Sequence, residues 1–478
     1  MLRAGIHICK TSLAMILKQF HLESLGHASY LVGSEETGEA LVLDIRRDVN
    51  PYLEEARSRG MNIRYALETH QHNDYVTGIC ELADRIPVQC LAGKEASIGY
   101  DARRVADGER VTMGEVIFHI LHTPGHTPEH ISVLVTDRSR GEAPVLLLSG
   151  GALLVGDVAR PDLLGGPDEA ARQAEIMCRM LQEKILTLPD YLEVYPTHVS
   201  GSLCGGHIGS RLSTTIGYER RMNPVLADLE RREHFVKQCL NLNNLPGIPP
   251  YWPRMRKLNT DGPPILGTLP EPPALTPRQF DRKHREGAII VDCRQAEAFS
   301  AHIPGALNIG LGSSFSTWAG TVLPAESTVL LVLETPDDLW EASWQLLRVG
   351  YPAPAGWLAG GMFAWRTAGK PLQMLSQASI WDLQHHLRQN RDLTVLDVRQ
   401  PGEWASGHIS NARFITGSEL PRRYEEIDRT SQIAVICGSG YRSAVAASLL
   451  QHHGYKDIIN ILGGMSAWQA AGFPLVQD

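Results

Sequence analysis

The feature that most constrains this chain is an internal repeat. Val291-Asp292-Cys293-Arg294, followed by Glu297, His302, Ile303, Pro304, Gly305 and Ala306, returns as Leu396-Asp397-Val398-Arg399 with Glu403, His408 and Ile409. Gly360-Gly361-Met362-Phe363-Ala364-Trp365 returns as Gly463-Gly464-Met465-Ser466-Ala467-Trp468. The offset, about one hundred residues, is the size of a domain and not of a solenoid turn. One folding unit is therefore expected twice, at 277–373 and at 376–478. In a chain of 478 residues the remainder is long enough for a further domain.

The two copies part company where chemistry would happen. In the second, the apolar run Ile433–Ile436 reads as a buried strand, and Ala444–His453 reads as a helix stopped by Gly454. Between them lie Cys437, Gly438, Ser439, Gly440, Tyr441, Arg442 and Ser443. A cysteine at a strand-to-helix turn meets converging backbone N–H groups and the positive end of the helix dipole, which favours a nucleophilic thiolate. The glycines let the loop curl its amides inward, and Arg442 adds a cationic rim. In the first copy Leu333 stands opposite Cys437, and Glu334-Thr335-Pro336-Asp337-Asp338 replaces the loop. Leucine has no nucleophile, and the carboxylates would repel an anionic donor, so this copy is expected to be inactive. Cys293 lies in the strand signature and is expected in the core.

The second copy resembles the rhodanese family of sulfurtransferases. The likeness rests on the seven-residue cysteine loop, the Asp397-Val398-Arg399 signature and the closing Gly463–Trp468 segment. It implies a parallel sheet with helices on both faces, and a persulfide on Cys437 carried between donor and acceptor, with Arg442 as its cationic partner. The four residues between Cys437 and Arg442 match the sulfur-handling loop, not the longer loops that act on phosphate or arsenate.

Upstream, at 15–244, short apolar strands alternate with helical stretches and carry most of the motif histidines. Asn62–Glu68 alternates, with Ile63, Tyr65 and Leu67 on one side, and ends in Thr69-His70-Gln71-His72-Asn73-Asp74-Tyr75. A second strand, Val116–Leu121, leads through His122 to His126 and His130, and a third, Leu192–Tyr195, leads to His198. Three strand ends that each deliver histidine can assemble a metal site, and imidazole suits zinc, iron or copper.

This segment resembles the metallo-β-lactamase fold, an αββα sandwich, and within it the branch of glyoxalase II thioesterases and persulfide dioxygenases. The motifs are Leu25–Tyr30, Leu43-Asp44, the histidine loops, and Val155–Leu163. The likeness implies that Arg160 contacts the carboxylate of a thiol substrate. It also implies an iron site of two histidines, matching His70 and His126, and an aspartate after Ser149-Gly150. That aspartate is Gly151 here, and a second-metal histidine is Tyr75. The expected ligands are therefore His70, His72 and His126 around one Fe(II) or Zn(II) ion. Asp74 and His198 are close reserves, Asp157 is a distant one, and His130 is expected to be structural or to support a ligand.

Between the halves, 245–276 is rich in proline and reads as an extended linker, with Tyr251, Trp252 and Met255 able to pack on neighbours. The net charge of −8 argues against a nucleic-acid surface. Eight cysteines without a CxxC pair suit a reducing, cytoplasmic setting, and no apolar stretch reaches the roughly 20 residues of a membrane span. Residues 1–14 are basic and read as an extension ahead of a start at Met15. The expected whole is an α/β multidomain enzyme of sulfane-sulfur metabolism. Its front domain would oxidise a low-molecular-weight thiol persulfide at the metal, and Cys437 would exchange sulfur with thiosulfate or a thiol. The alternatives are a metal-dependent, thioesterase-like hydrolase or thiol-binding front domain beside the same sulfurtransferase, and a non-catalytic sulfur carrier. Homo-oligomerisation stays open.

Overall fold

The computed structural model describes residues 14–241, 245–269, 271–389 and 392–477. Residues 1–13 of the expected N-terminal extension 1–14 lie outside them, as do 242–244 at the expected domain boundary. Two six-stranded sheets form the front of the chain. One runs in sequence order through Met15–Leu22, His27–Ser34, Glu39–Leu43, Asn62–Glu68, Gln89–Gly93 and Arg103–Val105. The other runs through Arg110–Met113, Val116–His122, Ile131–Asp137, Leu146–Gly150, Glu193–Pro196 and Thr214–Thr215. Alternation along the strands gives each sheet an apolar inner face. Tyr30, Leu43 and Leu67 meet Phe118, Val133 and Leu148 in one dry core. Helices Asn50–Ser58 and Ile79–Arg85 cover one outer face, and Pro167–Met180 with Arg232–Cys239 cover the other. This is the four-layer αββα sandwich.

The face of Asn62–Glu68 departs from simple alternation. Tyr65 and Leu67 enter the inner core, but Ile63 packs outward. The pairing with Glu39–Leu43 skips Arg64, so the strand changes face there.

The repeat appears as two five-stranded sheets with the same strand order. The first is Ala274–Leu275, Gly356–Leu358, Val329–Val332, Ile289–Asp292 and Leu307–Asn308. The second is Ser376–Ala378, Ile458–Ile461, Gln432–Ile436, Leu393–Asp397 and Arg413–Phe414. Every pairing in both is parallel. The central strand of each therefore ends at the point where Leu333 or Cys437 follows. The proline-rich segment corrects the expectation of an extended linker, for Trp252–Asp261 is a helix. Its Pro253 sits in the first turn, where a missing N–H costs nothing. No helix among the described residues is long and apolar enough to cross a membrane.

Candidate functional site: a histidine cluster and a cysteine loop

The front site is assembled at the strand ends. Asp44, at φ 52, follows Glu39–Leu43 and is fully buried. Its carboxylate accepts the Thr69 N–H at 2.7 Å and the Thr69 hydroxyl at 2.8 Å, and also the Thr197 hydroxyl. One side chain thus ties the loop of His70 to the loop of His198.

His70, His126 and His198 each offer a ring nitrogen within 4.8 Å of the others, and all three are buried. The far nitrogen of each ring is held by the chain. The Thr69 hydroxyl gives its proton to Asp44, so it accepts from His70 Nδ1 at 2.8 Å. His126 Nδ1 donates to the Arg160 carbonyl at 2.9 Å. His198 Nδ1 lies 3.4 Å from Ser202 Oγ and 3.5 Å from Asp74. The Nε2 atoms of His70 and His198 are left 3.4 Å apart. Burial, reinforced by neighbouring rings, holds His70 and His126 well below the usual imidazole pKa, as metal ligands require. Three imidazoles converging from separate strand ends fit a transition-metal ion with an open position.

The trio differs from the expected one, because His198 joins His70 and His126 where His72 was expected. His72 Nε2 instead lies 3.2 Å from both Asp44 and Glu68. Burial opposes a charge on this ring, but the two carboxylates prevail and raise its pKa to about 10. Burial lifts Glu68 to about 7, so Asp44 carries the matching charge. Nothing in a two-histidine motif announces this; the signal was Glu68, two residues before His70.

Gly151 leaves no room for a carboxylate. A Cβ built there would stand 2.7 Å from His126 Cδ2. Its N–H donates to His130 Nε2 at 2.8 Å, and His130 Nδ1 pairs with Thr123 Oγ1 at 2.8 Å, so His130 supports the turn. Asp157 does not approach the cluster of ligand atoms. It accepts the N–H groups of Val158, Gly206 and His207, each at 2.8 Å, and anchors that loop. Arg160, expected at a substrate carboxylate, is engaged with an aspartate of its own loop. Its guanidinium is buried and forked on Asp162 at 2.7 Å twice, with Pro246 O at 2.6 Å, so its donors are taken up within the chain.

The helix Trp252–Asp261 grips the motif loop. Asn259 Nδ2 donates to the carbonyls of His72 and Tyr75 at 2.8 and 2.7 Å, and its Oδ1 accepts Thr77 N–H at 2.9 Å. Tyr251 and Arg256 donate to the carbonyls of Asp74 and Gln71. Arg254 ties the same helix to Val349 and Gly350 of the first repeat copy. Asn259→Ala leaves three buried backbone groups without partners and should destabilise the protein by about 3 kcal/mol in chemical denaturation. Metal affinity should fall with it, and Asn259→Asp should recover less than half of either loss.

In the second site, Gly440 N–H points at Cys437 Sγ at 3.1 Å, and Ser443 Oγ lies 3.4 Å away. Gly440, at φ 117, caps the helix Tyr441–His452 that stands behind the sulfur. Arg442 is forked on Glu403 at 2.6 and 2.7 Å. Gly464 brings the closing segment close, and the N–H groups of Met465 and Ser466 hold the carbonyls of Cys437 and Gly438. The sulfur is buried in this conformation. Ser439, Tyr441 and Arg442 of the same loop line a cavity of about 560 Å3 whose other walls include Trp318 of the first copy and Leu203 of the front domain. In the first copy Leu333 is buried, and Asp338 folds back onto Thr335 N–H at 3.0 Å. Cys293 is in the core, where burial raises its thiol pKa.

Residues 276–368 and 380–471 match the rhodanese-like domain family. Over 227 residues, 45% of this chain, the front is 30% identical to the mitochondrial persulfide dioxygenase ETHE1 of Homo sapiens and covers 76% of it. A sulfurtransferase of Allochromatium vinosum is 32% identical over 103 residues, 22% of this chain and 96% of its own. The crystal structure of a metallo-β-lactamase from Staphylococcus aureus subsp. aureus COL matches with TM-score 0.65 and 30% identity, covering 72% of this chain and 99% of that one. The chain therefore belongs to the family in which a persulfide-dioxygenase-like metallo-β-lactamase domain is fused to rhodanese domains, here two of them.

Proposed function

We propose that this protein is an enzyme of sulfane-sulfur metabolism with two reactions. Cys437 carries a persulfide, and the front domain oxidises a low-molecular-weight thiol persulfide at an ion held by His70, His126 and His198. The observation that carries the first is the Gly440 N–H on Cys437 Sγ at the start of an α-helix. The Cys437 thiolate attacks the outer sulfur of a donor such as thiosulfate, the donor S–S bond breaks, and sulfite leaves with the electron pair. A thiolate acceptor then attacks the outer sulfur of the Cys437 persulfide, and the Cys437 thiolate leaves. Gly440 N–H stabilises the Cys437 thiolate before it attacks and again as it leaves, and Glu403 holds Arg442 at the rim.

In the front domain Fe(II), when bound, supplies the redox chemistry by which persulfide, dioxygen and water become thiol and sulfite. The chain holds His70 and His126 by Nδ1, places Ser202 and Asp74 beside Nδ1 of His198, and burial keeps His70 and His126 neutral. A second reading, metal-dependent hydrolysis of a thioester, is favoured by Gly151, since three imidazoles without a carboxylate are also a zinc hydrolase donor set. The test loads the full chain with Fe(II) or Zn(II) and supplies glutathione persulfide or an acyl-glutathione. One dioxygen consumed per sulfite formed with Fe(II) is the expected result. Thiol release from the acyl-thiol without oxygen uptake would replace the first reading by the second.

A further inference from the structure

The first repeat copy has no nucleophile, yet it supplies much of the wall of the cavity beside the cysteine loop. Ser314, Thr317 and Trp318 come from the first copy, Leu203 from the front domain, and Gln400 and Arg442 from the second copy. The helix Phe315–Val322, which carries Thr317 and Trp318, is gripped from two sides. It packs against Glu23–Leu25 of the front domain, and Gly320 lets the Tyr251 ring lie close, since a Cβ there would stand 2.5 Å from Tyr251 Cδ1. Trp318 lies on Gly417 of the second copy, where a Cβ would collide with its ring. Tyr441 of the cysteine loop donates its hydroxyl to Gly310 O at 2.9 Å. The wall is therefore fixed relative to the loop that carries the sulfur.

The space is about 560 Å3, and thiosulfate needs little of it, because cavities of about 300–1,000 Å3 hold much larger molecules. Its lining is mostly neutral, with the hydroxyls of Ser314 and Thr317 and the amide of Gln400. Among the described residues Arg442 is the one charged side chain in the wall. Neutral donors and acceptors match amide groups, a cation accepts a carboxylate, and the Trp318 ring offers a face for a short chain to lie on. We propose that the first copy is the acceptor-binding part of the sulfurtransferase, holding a peptidic thiol of about the size of glutathione in this cavity. The inference rests on the reading of Cys437 as the persulfide carrier. The acceptor thiolate attacks the outer sulfur, a new S–S bond forms, and the Cys437 thiolate leaves with the electron pair of the old one. Ser314 and Trp318 are positioning residues, which touch the peptide part of the acceptor and not the reacting sulfurs.

The test compares two acceptors on the full chain, with thiosulfate as donor. Glutathione can fill the cavity, whereas cyanide, which takes the sulfur as thiocyanate, is too small to use its walls. The two half-reactions are separate, so kcat/KM for the acceptor reads the second and kcat/KM for thiosulfate reads the first. Ser314 is exposed and its side chain makes no helix cap, so Ser314→Trp adds bulk to the cavity at little cost to the fold. This variant should lower kcat/KM for glutathione by about tenfold and change the values for cyanide and thiosulfate by less than about twofold. Trp318→Ala should show the same selective loss, and Trp318→Phe should recover most of it. Equal losses with both acceptors in Ser314→Trp would overturn the proposal, as would glutathione transfer unaffected in both Ser314→Trp and Trp318→Ala. Either failure leaves Cys437 as the carrier, since cyanide transfer by the parent protein reads that step independently. A parent protein that passes sulfur to neither acceptor would overturn both readings.

Discussion

Cys437→Ser should abolish thiosulfate-to-thiol sulfur transfer, lowering the rate by at least about a thousandfold, because no other group can form the covalent intermediate. Every element of the loop converges on that sulfur. The glycines curl the backbone, Gly440 donates its N–H, and the following helix adds its positive end. A serine alkoxide would need a far higher pH to form than a thiolate, and it cannot hold sulfane sulfur as a persulfide. Cys293→Ser is the contrasting variant. Cys293 follows the strand Ile289–Asp292 in the core, and burial raises its thiol pKa. It should lose stability by about 1–2 kcal/mol from the buried hydroxyl and keep sulfur transfer within twofold. The measurement is initial-rate thiosulfate:thiol transfer, with the unfolding midpoint alongside. Transfer retained by Cys437→Ser and lost by Cys293→Ser would reverse the assignment of the two repeat copies.

Much of the fold was legible because its signals are local. The repeat, the strand-to-helix cysteine loop and the three histidine-bearing strand ends all depend on residues close in sequence. What was not legible depends on which side chains meet across the fold. The spacing of His70 and His72 permits both to face one ion, and only the approach of Asp44 and Glu68 decides that His72 turns away. Arg160 carries a suitable charge for a substrate carboxylate, but Asp162, two residues on, takes its fork. The prolines of 245–276 signal a break in regular structure, yet the stretch between Pro253 and Pro263 is long enough for a short helix. That helix became a structural part of the histidine loop through Asn259, a contact across more than 180 residues of sequence that no local pattern encodes.

The sharpest separation between sequence and structure comes from four alanine variants. His70→Ala, His126→Ala and His198→Ala should each weaken metal binding by more than about a hundredfold, since even a partner that merely hydrogen-bonds a ligand is worth about 10–100-fold. His72→Ala should instead retain a stoichiometric ion and lose stability. Removing the ring leaves Asp44 and Glu68 facing each other in the interior without their shared cation. Breaking a buried pair in this way costs about 3–5 kcal/mol. The loss should fall near the lower end, because Glu68, already raised to about 7 by burial, can take up a proton and relieve the repulsion. His72→Gln, which keeps a donor toward one carboxylate, should recover part of the loss. Metal content by elemental analysis and chemical denaturation of the same samples read the two effects independently. An ion lost from His72→Ala at unchanged stability would return His72 to the ligand set, and an ion kept by His198→Ala would remove His198 from it.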